Sequence, residues 1–214
     1  KPEPITMLER YLELVPDGMG GAFAVWTDGR DTTTTGSDIA SHRVTSSGPV
    51  ANRPTGLVAS HHDGQTFLRW TTPPGEGWTY RVHASANPIT SSADLATATL
   101  VGSVGDSSAC DLRLSHLRGT AYGFRTDAGG PELPPASGLF VRTAGQAAST
   151  YYAVTGKAGA FAEDQTIASG ENSLAMPVTE TPVIPSPIYQ RSFDDAGRKV
   201  EIWTLWTSNE DVPG

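Results

Sequence analysis

Apolar side chains in this chain recur at every second position over short runs, and clusters of turn residues close each run. That period belongs to half-buried β-strands, because successive side chains on an extended backbone point to opposite faces. It leaves little room for long amphipathic helices. The composition agrees: 23 Gly and 16 Pro among 214 residues, with only 18% charged residues, describe a turn-rich polypeptide. At 37% hydrophobic residues the chain has enough apolar side chains for a packed core, and its length allows one or two domains.

Ala22-Phe23-Ala24-Val25-Trp26 lies between Asp17-Gly18-Met19-Gly20-Gly21 and Asp28-Gly29-Arg30-Asp31 and reads as a strand between two turns. Asp38-Ile39-Ala40-Ser41-His42-Arg43-Val44 reads as its hairpin partner. Tyr11-Leu12-Glu13-Leu14-Val15 is either a preceding strand or a helical turn, with the strand favoured. The segment 1–53 is thus a small β-meander, and prolines at 49 and 54 mark its end. From Gly56 the spacing becomes that of a sandwich, with strands expected at 56–60, 66–71, 79–85, 97–104, 109–114, 138–143, 150–155 and 173–179 and one helical turn near 91–98. Trp70 shares a face with Leu68 and Thr66, which places the indole in the core. The fold class expected is all-β, with no βαβ units.

Pro54-Thr55-Gly56-Leu57-Val58-Ala59, Thr66-Phe67-Leu68-Arg69-Trp70-Thr71-Thr72-Pro73 and Tyr80-Arg81-Val82-His83 resemble the opening of a fibronectin type III domain. Gly138-Leu139-Phe140-Val141 and Tyr151-Tyr152-Ala153-Val154-Thr155 resemble its last strands. The resemblance covers 54–180 and implies an immunoglobulin-like β-sandwich. The surplus length over that family implies an insertion, placed at 115–136. Either Tyr151 or Tyr152 folds its hydroxyl back onto backbone near Gly145, as a tyrosine corner does, or alternation puts one Tyr in the core and its neighbour outside.

A second resemblance covers the segment from Pro16 to Arg30 with Ser37-Asp38-Ile39-Ala40, which is similar to one repeat of the sialidase-like β-propeller arrays of secreted bacterial proteins. A single repeat needs a neighbour to cover its apolar face. Residues 181–214 read as a Pro-rich linker followed by a hairpin, 187–193 and 198–206, turning at Asp194-Asp195-Ala196-Gly197. Trp203 and Trp206 on that hairpin call for another domain or chain to cover them. Linker and hairpin together weakly resemble the entry to the catalytic domain of a secreted α/β hydrolase.

The chemistry expected of these residues is structural. An α/β hydrolase needs its serine on a strand-to-helix elbow, G-x-S-x-G, and no such pentapeptide occurs; H-E-x-x-H, the P-loop and G-x-G-x-x-G are absent too. No catalytic residue and no cofactor-binding residue is therefore assigned. The five histidines, His42, His61, His62, His83 and His116, are scattered. His61-His62-Asp63 is a poor metal site, because adjacent residues on a strand face opposite ways. Asp17, Asp28, Asp31 and Asp38 bound the first hairpin. Turn chemistry accounts for them, and a calcium ion held by these loop carboxylates is the second reading. Glu163-Asp164 reads as a solvated loop pair.

A net charge of −8 repels phosphate backbones, so nucleic acid is disfavoured as a partner. No run of apolar residues is long enough for membrane insertion. Cys110 is a single cysteine and leaves the redox compartment undecided. Lys1-Pro2-Glu3-Pro4 reads as the start of a processed piece. Three functions fit. The first is a non-catalytic extracellular or cell-surface accessory module that binds, spaces or adheres, with a carbohydrate or polymer as a possible ligand. The second is the front accessory part of a secreted hydrolase, an esterase or depolymerase, whose catalytic residues lie beyond Gly214. The third is a self-assembling surface or filament subunit.

Overall fold

A computed structural model describes the backbone of residues 13–16, 21–28 and 38–45, and residues 53–159 and 162–206 in full. The chain divides into two compact units, 1–51 and 52–214. In the first, β1 (Glu13–Pro16), β2 (Gly21–Asp28) and β3 (Asp38–Thr45) form an antiparallel sheet in the order β1-β2-β3. Val25 pairs with both Glu13 and Ser41, and Asp28 lies directly opposite Asp38. The first expected strand thus begins at Glu13, and its earlier residues lie outside the described ones, as do Asp17 and Asp31.

The second unit contains two facing sheets. One has the order β4-β5-β8, from β4 (Thr55–His62), β5 (Gln65–Thr71) and β8 (Ser137–Thr143). The other has the order β10-β9-β6-β7, from β6 (Trp78–Ser85), β7 (Thr99–Gly105), β9 (Ala148–Ala158) and β10 (Val178–Glu180). Every pairing within them is antiparallel. Asp63 and Gly64, both at positive φ, close the β4-β5 hairpin, the conformation a two-residue turn requires.

Alternation decides what lies between the sheets. Leu68 and Trp70 from β5 and Phe140 from β8 meet Trp78, Tyr80, Val82 and Ala84 from β6 and Tyr152 and Val154 from β9. Trp70 is 2% exposed, with its ring 5.4 Å from Tyr80 and inclined at 63°. Gly138 lies directly opposite Trp70 in the β5-β8 ladder. A Cβ at 138 would fall 2.0 Å from the indole Cε2, so the indole occupies the space a side chain would need.

The outer faces are covered as well. Phe67, Leu139 and Val141 point away from the first core and pack with Ala109, Leu133 and Ile188, against which Phe124 and Trp206 also lie. On the opposite side Ala153 packs with Ile89 and Leu95, the latter from α1 (Ser92–Thr97). Ser91 caps α1, accepting a hydrogen bond from the Asp94 N–H.

Two expected strands are corrected. Residues 109–114 enter α2 (Leu112–Arg118), where Asp111 accepts from the Leu114 N–H at the start and Gly119 takes a left-handed conformation at the end. Those two capping signals outweigh a brief alternation. Within 173–179 only the last residues join a strand. Residues 172–174 make two backbone bonds to β9, and the fully buried Asn172 side chain donates to the carbonyls of Val154 and Thr166 and accepts from the Ala168 N–H.

The closing hairpin, β11 (Ile188–Asp195) and β12 (Arg198–Thr204), belongs to the second unit and turns at Ala196-Gly197. Residues 181–206, the described part of the segment its prolines mark as 181–214, lie in that same unit. The Gln190 side chain mimics a peptide group, accepting from the Arg125 N–H at 2.7 Å and donating to the Arg125 carbonyl at 3.0 Å. Arg191, 8% exposed, lies 4.4 Å over the Tyr122 ring, donates to the Gly123 carbonyl and faces Glu132 at 3.4 Å.

Candidate functional site

Among the described residues, a connected cluster of ionisable and hydroxyl groups plugs one end of the sandwich. Thr66 and Arg142 enter it from the first sheet, and Thr150, Tyr152 and Glu180 from the second, each on the inward parity of its strand. Glu180 is 2% exposed. Its Oε1 accepts from the Thr66 hydroxyl at 2.6 Å and from the Tyr152 hydroxyl at 2.6 Å, and its Oε2 accepts from the Thr150 hydroxyl at 2.7 Å. The Arg142 guanidinium lies 3.6 Å from Oε2 and donates to the Tyr152 oxygen at 3.0 Å. Burial pushes the Glu180 carboxyl up. The bonds from Thr66, Tyr152 and Thr150, with the Arg142 charge, outweigh it and hold the carboxyl below its ordinary value. Burial also raises the Tyr152 phenol, so it stays protonated and donates.

His61 extends this network outward. Its Nε2 accepts the Thr181 N–H at 2.8 Å, which places the proton of the neutral ring on Nδ1, within 2.9 Å of the Thr66 oxygen. His62 points the other way, stacking on Phe67 with centroids 4.7 Å apart and lying 3.1 Å from both Asp63 and Asp127. The two adjacent histidines thus serve opposite faces.

The tyrosine corner is corrected: the Tyr152 hydroxyl bonds a carboxylate instead of backbone, and Tyr151 packs half-buried beside Ile89, Leu95 and Ala153. Glu163 is corrected too. It is half-buried, pairs with Arg81 at 3.0 Å and accepts from the Thr155 hydroxyl. His83 lies 3.9 Å from Glu163 with both ring nitrogens buried. Burial lowers the affinity of His83 for a proton; Glu163 opposes this and Arg81 adds to it. Below about pH 6.5 an unfolded chain binds a proton that the folded chain resists, so His83 costs stability as pH falls. Replacing His83 with Phe is expected to flatten the loss of urea stability between about pH 6.5 and pH 5, measured by circular dichroism; an unchanged slope would contradict this.

The remaining candidates are dispersed. His116 is exposed on α2. Asp28 and Asp38 share a register position, while the side chains of all four hairpin aspartates, and that of His42, lie outside the described residues. Among the described residues no group of three or more His, Cys, Asp or Glu is placed to hold a metal ion, and no helix is long and apolar enough to cross a membrane. Trp206 is half-buried, edge-on to Phe67 at 6.1 Å and to Phe124 at 4.8 Å, and its carbonyl accepts from Gln65. Trp203 is 55% exposed beside Tyr189.

The sequence reading missed Glu180, although its signal was present. Thr66, Arg142 and Thr150 each occupy the core-facing parity of an otherwise apolar strand, and polar groups placed there need a common partner. The arrangement defines an all-β sandwich with one cluster of ionisable and hydroxyl groups turned inward. No family model, no curated protein and no solved structure matches the chain.

Proposed function

We propose that the chain is a non-catalytic accessory module that binds, spaces or adheres within a larger secreted or surface protein. The observation that carries the reading is where its reactive groups are spent. His61 clips Thr181, His62 stacks on Phe67, Glu163 pairs with Arg81, and Glu180 takes the hydroxyls of Thr66, Thr150 and Tyr152. Each joins two strands or covers a sheet, which is the work of a scaffold. The order β4-β5-β8 facing β10-β9-β6-β7 supports the fibronectin type III-like reading of 54–180.

A second reading, the front part of a secreted esterase or depolymerase, is favoured by one feature. Trp203 and Leu205 project from β12 and the residue that follows it, 55% and 58% exposed, and an aromatic and a leucine side by side suit the edge of a neighbouring domain. Intact-mass measurement of the native polypeptide tests both readings. A mass above 22.5 kDa, with no ester hydrolysis by this chain alone, is expected. Hydrolysis by the isolated chain would overturn the accessory reading, and a native mass of 22.5 kDa would overturn both.

A further inference from the structure

Strand β10 contributes only Val178, Thr179 and Glu180 to the sheet edge, opposite Thr150, Ser149 and Ala148. The four residues after it, 181–184, are exposed. The Val183 backbone crosses the β4-β5 turn so closely that a Cβ on Gly64 would fall 2.1 Å from its carbonyl oxygen. So short a ladder is a weak hold by itself. Val178 packs on the core between the sheets, and the rest comes from the side chain of Glu180 and from His61, which grips the Thr181 N–H.

We propose that β10 is an acid-released clasp, held across the end of the sandwich by an ionised carboxylate in the core and let go when that carboxylate is neutralised, while the other strands of both sheets stay paired.

The direction of the hydrogen bonds carries the argument. His61 Nδ1–H donates to Thr66, which donates to Glu180; Arg142 donates to Tyr152, which donates to Glu180; Thr150 donates to Glu180 directly. Every chain of donors ends on the carboxylate. A protonated Glu180 adds an O–H among the hydroxyls of Thr66, Tyr152 and Thr150, each of which already points its hydrogen at the carboxyl. It also removes the attraction of the carboxylate for Arg142. The titratable and charged groups facing Glu180 are Arg142 from β8, Tyr152 from β9 and, through Thr66, His61 from β4.

The sign follows from the depressed Glu180 carboxyl. Its stabilisation is complete above the ordinary glutamate value of about 4.3 and is lost as pH falls through the folded value. Release frees the β9 edge at 148–150 and the strap that leads to the hairpin.

Amide hydrogen exchange on the full chain, corrected for intrinsic rates, tests the clasp. Protection of residues 178–181 is expected to fall severalfold, up to about sevenfold, between pH 7 and about pH 3.5, relative to the strands β5 and β6. Glu180→Gln, whose amide places a donor against donors, is expected to produce the same loss already at pH 7. Exchange of 178–181 in step with β5 and β6 at every pH would overturn the proposal, as would wild-type protection in Glu180→Gln. Should that variant fail to fold, the pH series on the unaltered chain decides alone.

Discussion

Gly138→Ala is expected to destabilise the second unit by about 1–3 kcal/mol, as overpacking of a filled core does. The cause is local. A methyl at 138 would lie 2.0 Å from Cε2 and 2.1 Å from Nε1 of Trp70, so the indole or the β8 backbone has to move. Trp70 cannot move freely, because Tyr80 stands edge-on to it and the ladder pairs both strands on either side. Trp70→Ala alone should cost about 3–5 kcal/mol, through lost burial and the cavity left behind. The two effects are coupled. In the Trp70→Ala background Gly138→Ala should be nearly neutral, because the atoms it strikes are gone. Urea unfolding of the four proteins of this cycle measures the coupling. Additive losses would mean that the indole does not pack against β8.

Arg191→Met is expected to cost about 2–4 kcal/mol, combining a charge-assisted hydrogen bond with a cation over an aromatic ring. The guanidinium of β11 lies over Tyr122, donates to the Gly123 carbonyl and faces Glu132, all three in the segment between β7 and β8. Methionine keeps much of the side-chain volume and removes every polar contact. The expected result is a lower urea midpoint for the whole unit, with the hairpin losing protection no earlier than β5. A hairpin that melts first, leaving the sandwich at its original midpoint, would show that Arg191 joins two separable parts.

The alternation that revealed β5, β6, β8 and β9 is a local signal, since each strand carries its own inward face. Trp70 was legible because Leu68 and Thr66 share its parity. The same run also held a clue to the outer layer. Leu139-Phe140-Val141 is continuously apolar, which marks a strand covered on both sides, and Phe67 beside Leu68 repeats the point. What covers those residues was not legible, because Leu133, Ile188 and Trp206 come from distant, turn-rich segments whose meeting is a tertiary event. The docking of Gln190 on Arg125, just beyond the prolines of 177–187, leaves no periodic trace for the same reason. Residues 109–114 misled because three alternating positions weigh less than an Asp cap and a terminal Gly. The inward polar positions of β5, β8 and β9 signalled that a partner was needed, but the short, partly exposed β10 did not mark Glu180 as that partner.

The scaffold reading depends on residues 52–214 being one cooperative structure, with insertion, hairpin and both sheets interlocked. Fluorine NMR of the full chain, labelled with fluorotryptophan and titrated with urea, tests this most directly. Trp70 and Trp78 report the inter-sheet core and Trp206 the outer layer built by the hairpin. The three native resonances are expected to disappear together at one urea concentration. Loss of the Trp206 signal at a clearly lower concentration than those of Trp70 and Trp78 would contradict the account.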